Sequence, residues 1–162
     1  MNNKNRNYLV STVCMVLASV TWLTGQALAD DHGSAEAEVR AAAKAFNDSY
    51  ANNDVDTYFG LYADDAEVFF YGERQDMAAY EKMWHGMMEA GGGVEVNEMS
   101  DVVVQMMPGH EVAIVTSFIV NTTRSPEGER STANAFETDV WQKIDGEWKI
   151  VHLHYSEIPS EE

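Results

Sequence analysis

Val140-Trp141-Gln142-Lys143-Ile144-Asp145-Gly146-Glu147-Trp148-Lys149-Ile150-Val151-His152-Leu153-His154-Tyr155-Ser156 is the stretch on which the fold turns. Two runs rich in aromatic and β-branched residues flank Asp145-Gly146, a pair that tolerates the positive φ angles of a tight hairpin turn. The segment therefore predicts a β-hairpin. Its second strand places His152 and His154 two residues apart, so both leave the same face.

Upstream of the hairpin the pattern continues as strands. Val94 to Met106, Glu111 to Thr123 and Ser131 to Ile144 lead into Glu147 to Ile158, joined by Pro108-Gly109, Pro126-Glu127-Gly128 and Asp145-Gly146. Before them the apolar period is helical. Val39, Ala42, Ala43, Phe46 and Tyr50 mark a helix over residues 35–52. Asp54 is placed to cap a short second helix, Val55 to Tyr62, and Asp76 a third, Met77 to Glu89, ended by Gly91-Gly92-Gly93. A brief strand, Glu67 to Tyr71, lies between the last two. Helices followed by a meander of antiparallel strands predict an α+β fold, with three N-terminal helices wrapped by a strongly curved sheet.

The N-terminus has the layout of a secretory signal peptide: Lys4 and Arg6, an apolar run from Tyr8 to Leu23, then Ala27-Leu28-Ala29. Cleavage after Ala29 leaves residues 30–162 as a single domain, periplasmic or secreted, with a short polar tail. The chain carries −17; without Lys4 and Arg6 it holds 8 basic and 27 acidic residues, a charge of −19. Such a surface repels nucleic acid and anionic lipid, and favours solubility. Cys14, the single cysteine, lies in the leader, so the mature domain has no disulfide or thiol chemistry.

The ending Asp145-Gly146-x-Trp148-x-x-Val151-His152-x-His154-x-Ser156-x-x-Pro159, preceded by Glu137-Thr138-x-Val140-Trp141, resembles that of the calcium/calmodulin-dependent protein kinase II association domain and its stand-alone bacterial relatives. Leu61-Tyr62-Ala63-Asp64-Asp65-Ala66 is similar to the same place in the wider nuclear transport factor 2-like, SnoaL-like superfamily. The resemblance implies a cone-shaped roll with a pocket between helices and sheet, assembled as a homodimer or larger ring. It transfers no activity. The catalytic Asp of the superfamily's steroid isomerases falls on Phe70, and their oxyanion-holding Tyr on Phe46. A phenyl ring neither accepts a proton nor donates a hydrogen bond, so that mechanism is not expected. The pocket arginines of the association domain fall on Ile119, Asp139 and Tyr155, which removes two positive charges and inverts a third.

The hairpin register decides which face each residue takes. A two-residue loop pairs Asp139 with His152 and Glu137 with His154. A three-residue loop pairs Asp139 with Val151 and sends the histidines to the opposite face. The shared pocket of the relatives' arginines favours the second. Asp139, Trp141, Val151, Leu153 and Tyr155 then face the cavity, and Phe136, Thr138, Val140, Trp148, Ile150, His152 and His154 face outward. An outer stripe this apolar calls for a second subunit.

Pocket candidates are therefore Tyr58, Tyr71, Trp84, Ile119, Asp139, Trp141 and Tyr155. Trp84 reads more readily as core on an amphipathic helix, whereas the counterpart of Tyr58 in the association domain borders the cavity. His152 and His154 are interface residues in one reading and acid–base groups in the other. A His-x-His strand also suits metal ligation, but nothing in the spacing requires it, and neither metal nor cofactor is expected. The expected function is binding of a small apolar or aromatic molecule, with no assignable catalytic residue. The alternatives are a SnoaL- or isomerase-type enzyme using Asp139 with Tyr155 or the histidines, and a module for assembly alone.

Overall fold

The structure, a computed structural model, describes residues 23–159. Most of the expected leader, residues 1–22, lies outside the described residues, as do the last three residues of the tail. The order is α1 (Leu23–Ala51), α2 (Val55–Gly60), β1 (Tyr62–Phe70), β2 (Glu73–Arg74), α3 (Met77–Glu89), β3 (Gly93–Met106), β4 (Val112–Arg124), β5 (Arg130–Ile144) and β6 (Glu147–Glu157). The strands form one curved, unclosed sheet in the order β2-β1-β6-β5-β4-β3. The expected α+β roll is present.

Each short helix starts where its cap predicts. Asp54 accepts a hydrogen bond from the Thr57 N–H at 3.2 Å, and Asp76 from the Ala79 N–H at 3.0 Å. α1 begins earlier than residue 35, because Gly33 does not interrupt the helix. At its other end Asn53, in the left-handed region at φ 59°, clasps β3. Its side chain donates to the Val94 carbonyl at 2.9 Å and accepts from the Val94 N–H at 2.7 Å. A Cβ on Gly93 would fall 2.8 Å from that same Asn53 side chain, so the last glycine of the triplet admits the clasp.

Two strands depart from expectation. β1 runs from Tyr62 rather than Glu67, because Tyr62 already pairs in parallel with Ile150 on β6; after a shift in register Glu67 lies opposite His152 and Val68 opposite Leu153. β2 then folds back on the end of β1. The parallel pairing with β6 is long-range and has no local sequence signal, whereas the β1–β2 turn is local and sits at Tyr71-Gly72, both at positive φ.

The hairpin register matches neither expected alternative. The loop has two residues, Asp145 (φ 52°) and Gly146 (φ 88°), with Ile144 opposite Glu147. A β-bulge then falls between Ile150 and His152: Trp141 pairs with Ile150, Val140 with His152, and Asp139 with Leu153. Val151 is the odd residue. Ile150 and Leu153, three apart, thus both reach the inner face, and each is fully buried. Trp148 and Ile150 are therefore core residues, not outer ones, and Val151 is not part of the inward alternation. Asp139, Trp141, Leu153 and Tyr155 keep their expected face.

The core lies between α1 and the inner sheet. Ala35, Val39, Ala43 and Phe46 form the buried stripe of α1 and meet Val68, Val115, Trp141 and Leu153. A polar clamp closes one end, where Glu38 accepts from Lys143 Nζ at 2.6 Å and from the Trp148 indole N–H at 3.2 Å. Both bonds favour the ionised carboxylate and hold the Glu38 pKa below its ordinary value.

Candidate functional site

A cavity of about 250 Å³ opens between the helices and the concave sheet. Its helix wall is aromatic because α1, α2 and α3 turn their rings toward one another. Phe46 stacks on Tyr58 with ring centroids 4.6 Å apart, Tyr50 meets Trp84 edge-on at 5.1 Å, and Phe70 contacts Tyr80 at 5.0 Å. Behind them the Tyr58 and Tyr62 hydroxyls are joined at 2.9 Å. The sheet wall is more polar. Asn121 donates to Asn97 at 3.0 Å, and Asn97 to Asn47 at 2.7 Å, an amide relay along one side.

Glu137 projects into this cavity from β5, where its cross-strand neighbours are Ser117 on β4 and Tyr155 on β6. Burial pushes its carboxyl up to about 7. Two residues along the same face lies Asp139, 4% exposed, with Oδ1 lacking any hydrogen-bond partner in the fold. Burial, and then the Glu137 charge, hold the Asp139 pKa well above the carboxylate range; the neighbouring Trp141 indole opposes the rise without making a well-formed hydrogen bond. The phenols titrate far from neutrality: burial pushes Tyr80 up to about 12 and raises Tyr50, Tyr58 and Tyr155 as well. Near pH 7 they serve as neutral hydrogen-bonding groups, and Glu137 is the lining group whose charge can change.

Of the residues picked from sequence, Tyr58, Tyr71, Trp84, Ile119 and Tyr155 line the cavity. Asp139 and Trp141 face the same way but lie beneath its floor, outside the lining, because the roll narrows toward the hairpin and side chains fill it there. His152 and His154 are on the outer face, beside Phe69 at ring distances of 5.5 and 6.4 Å. They do not converge with Asp139. Among the described residues no group of three or more His, Cys, Asp or Glu side chains is arranged to hold a metal ion. Glu137 was absent from the sequence-based site, although its place two residues before Asp139 puts the two on one face of any regular strand.

A family model for the SnoaL-like domain matches residues 39–161. The chain belongs to that family. Among solved structures it is similar to a nuclear transport factor 2-like protein from Cytophaga hutchinsonii, with a TM-score of 0.64 and 19% identity over 74% of this chain and 95% of that one. It is also similar to the association domain of the Caenorhabditis elegans calcium/calmodulin-dependent kinase II, at 0.61 and 21% over 78% and 98%. A candidate scytalone dehydratase from Novosphingobium aromaticivorans gives 0.66 and 18% over 81% and 89%. At these identities the likeness establishes the fold, nuclear transport factor 2-like, and nothing finer. No curated protein matches the chain.

Proposed function

We propose that this is an exported, periplasmic or secreted protein that binds a small apolar or aromatic molecule in the cavity, as a homodimer or larger assembly. The observation that carries the reading is the aromatic wall: a concave space of about 250 Å³ bounded by tightly packed rings and a few polar groups is the usual form of a small-molecule site. The N-terminal leader layout supports export, and among the described residues no helix is long and apolar enough to cross a membrane. Saturation-transfer NMR with a set of single-ring aromatics, neutral and charged, tests the binding. At least one should give a saturable signal that disappears in Ala133→Trp, which fills the cavity from the sheet side. Absence of binding by every probe would overturn the reading.

Assembly is supported by the outer face of the sheet. Phe136 is 61% exposed and meets Phe118 edge-on at 5.8 Å, and further along the same face His154 on β6 lies beside Phe69 on β1. An apolar patch of this kind is costly in water and is relieved by a second copy. Light scattering should therefore give at least twice the monomer mass, reduced to one by Phe136→Glu. An unchanged mass in that variant would move the contact elsewhere.

A second reading, an acid–base enzyme, is favoured by Glu137 alone. A carboxyl held near 7 in an aromatic cavity is matched to proton transfer at neutral pH. With the histidines outside and Asp139 beneath the floor, this role falls to Glu137 with Tyr155 beside it. Any turnover would follow the ionisation of Glu137.

A further inference from the structure

On the reading that the cavity is a ligand site, we infer that its ligand is an organic cation: a small amine or quaternary ammonium with an apolar or aromatic body. The cavity wall presents the faces and edges of Tyr50, Tyr58, Tyr80 and Trp84 together with two carboxyl groups, Glu137 within and Glu157 toward the mouth. Among the described residues that line it, none is Lys, Arg or His. An aromatic box with acidic groups and no basic one attracts cations twice over, through the negative ring faces and through the carboxylates. The whole chain, at −17, adds a field of the same sign.

Glu137, within the cavity, has no basic side chain beside it, and Asp139, two residues along the same strand face and beneath the floor, has no donor for Oδ1. Buried carboxyls in proteins ordinarily find a cationic partner, because an unpaired buried charge is costly. Here no side chain lining the site supplies that partner, and a bound ammonium would. A bound cation favours the ionised Glu137, so binding below neutral pH expels a proton. The groups facing Glu137 are Asp139 on its own strand, Ser117 on β4, Tyr155 and Glu157 on β6, Tyr62 on β1, Tyr50 on α1 and Tyr80 on α3. Of these, none is basic and the phenols stay neutral, so none reverses the preference.

The test compares two probes of the same shape, phenyltrimethylammonium and tert-butylbenzene, by NMR or calorimetric titration. The cation is expected to bind roughly tenfold more tightly, with affinity rising from pH 5 to pH 8, while the neutral probe shows no pH dependence. Glu137→Gln should weaken the cation about tenfold and leave tert-butylbenzene unchanged. If the neutral probe binds as well as the cation, or the cation is indifferent to Glu137→Gln, the inference fails and the cavity remains a ligand site. If neither probe binds, both readings fall.

Discussion

Glu137→Gln is expected to be more stable than the parent protein at pH 8, by roughly 3 kcal/mol, and equally stable at pH 4. The carboxyl ionises about 7 in the folded chain against a reference of 4.5, and each unit of difference is worth about 1.4 kcal/mol. Below the unfolded value Glu137 is neutral in both states, and the glutamine changes little. Between the two values the unfolded chain releases its proton while the folded chain retains it, so the parent loses stability as pH rises. Above the folded value the full cost is present, and the variant is relieved of it. Thermal melts at the two pH values should differ by about 5 to 10 °C at pH 8 and coincide at pH 4. Equal melts at both would show that Glu137 is well solvated. The variant also lowers the Asp139 pKa, since the Glu137 charge contributes to its elevation.

Trp141→Ala is expected to have the largest effect of any single change, a loss of about 3 to 5 kcal/mol. Trp141 is fully buried, packs edge-on against Phe46 at 6.1 Å and pairs across the hairpin with the fully buried Ile150. Truncation there leaves a void at the junction of α1 and the sheet, which close-packed neighbours cannot fill. Chemical denaturation should show the midpoint collapse with the slope unchanged. Trp141→Phe retains most of the ring and removes an indole N–H with no partner, so it should cost far less. A similar loss in both variants would assign the effect to the N–H rather than to packing.

The elements with local signatures were legible from sequence. Asp54 and Asp76 announce their helices through side chains that reach the next turn's N–H groups, and Asp145-Gly146 announces its turn through backbone preference. The family could be read from the same hairpin together with residues 61–66. What escaped was set at long range. The first part of β1 carries Asp64 and Asp65 and reads as loop, yet its start is held along β6 by the pairing of Tyr62 with Ile150. The bulge at Val151 has no residue type that marks it. The cavity lining depends on how the helices tilt over the sheet, which separates Tyr155, in the wall, from Asp139, beneath the floor, although both face inward. Glu137 was accessible by alternation, but its burial, and hence its unusual acidity, depended on the helices above it.

The bulge at Val151 also works as a joint between two parts with different requirements. On the tip side, β6 must present Trp148 and Ile150 to α1; on the cavity side it must present Leu153 and Tyr155 to the ring-lined space. Strict alternation would satisfy one set and turn the other to solvent. One supernumerary residue lets each half keep its own phase. The bulge thus keeps Tyr155 opposite Glu137 in the chamber while Trp148 and Ile150 stay in the core.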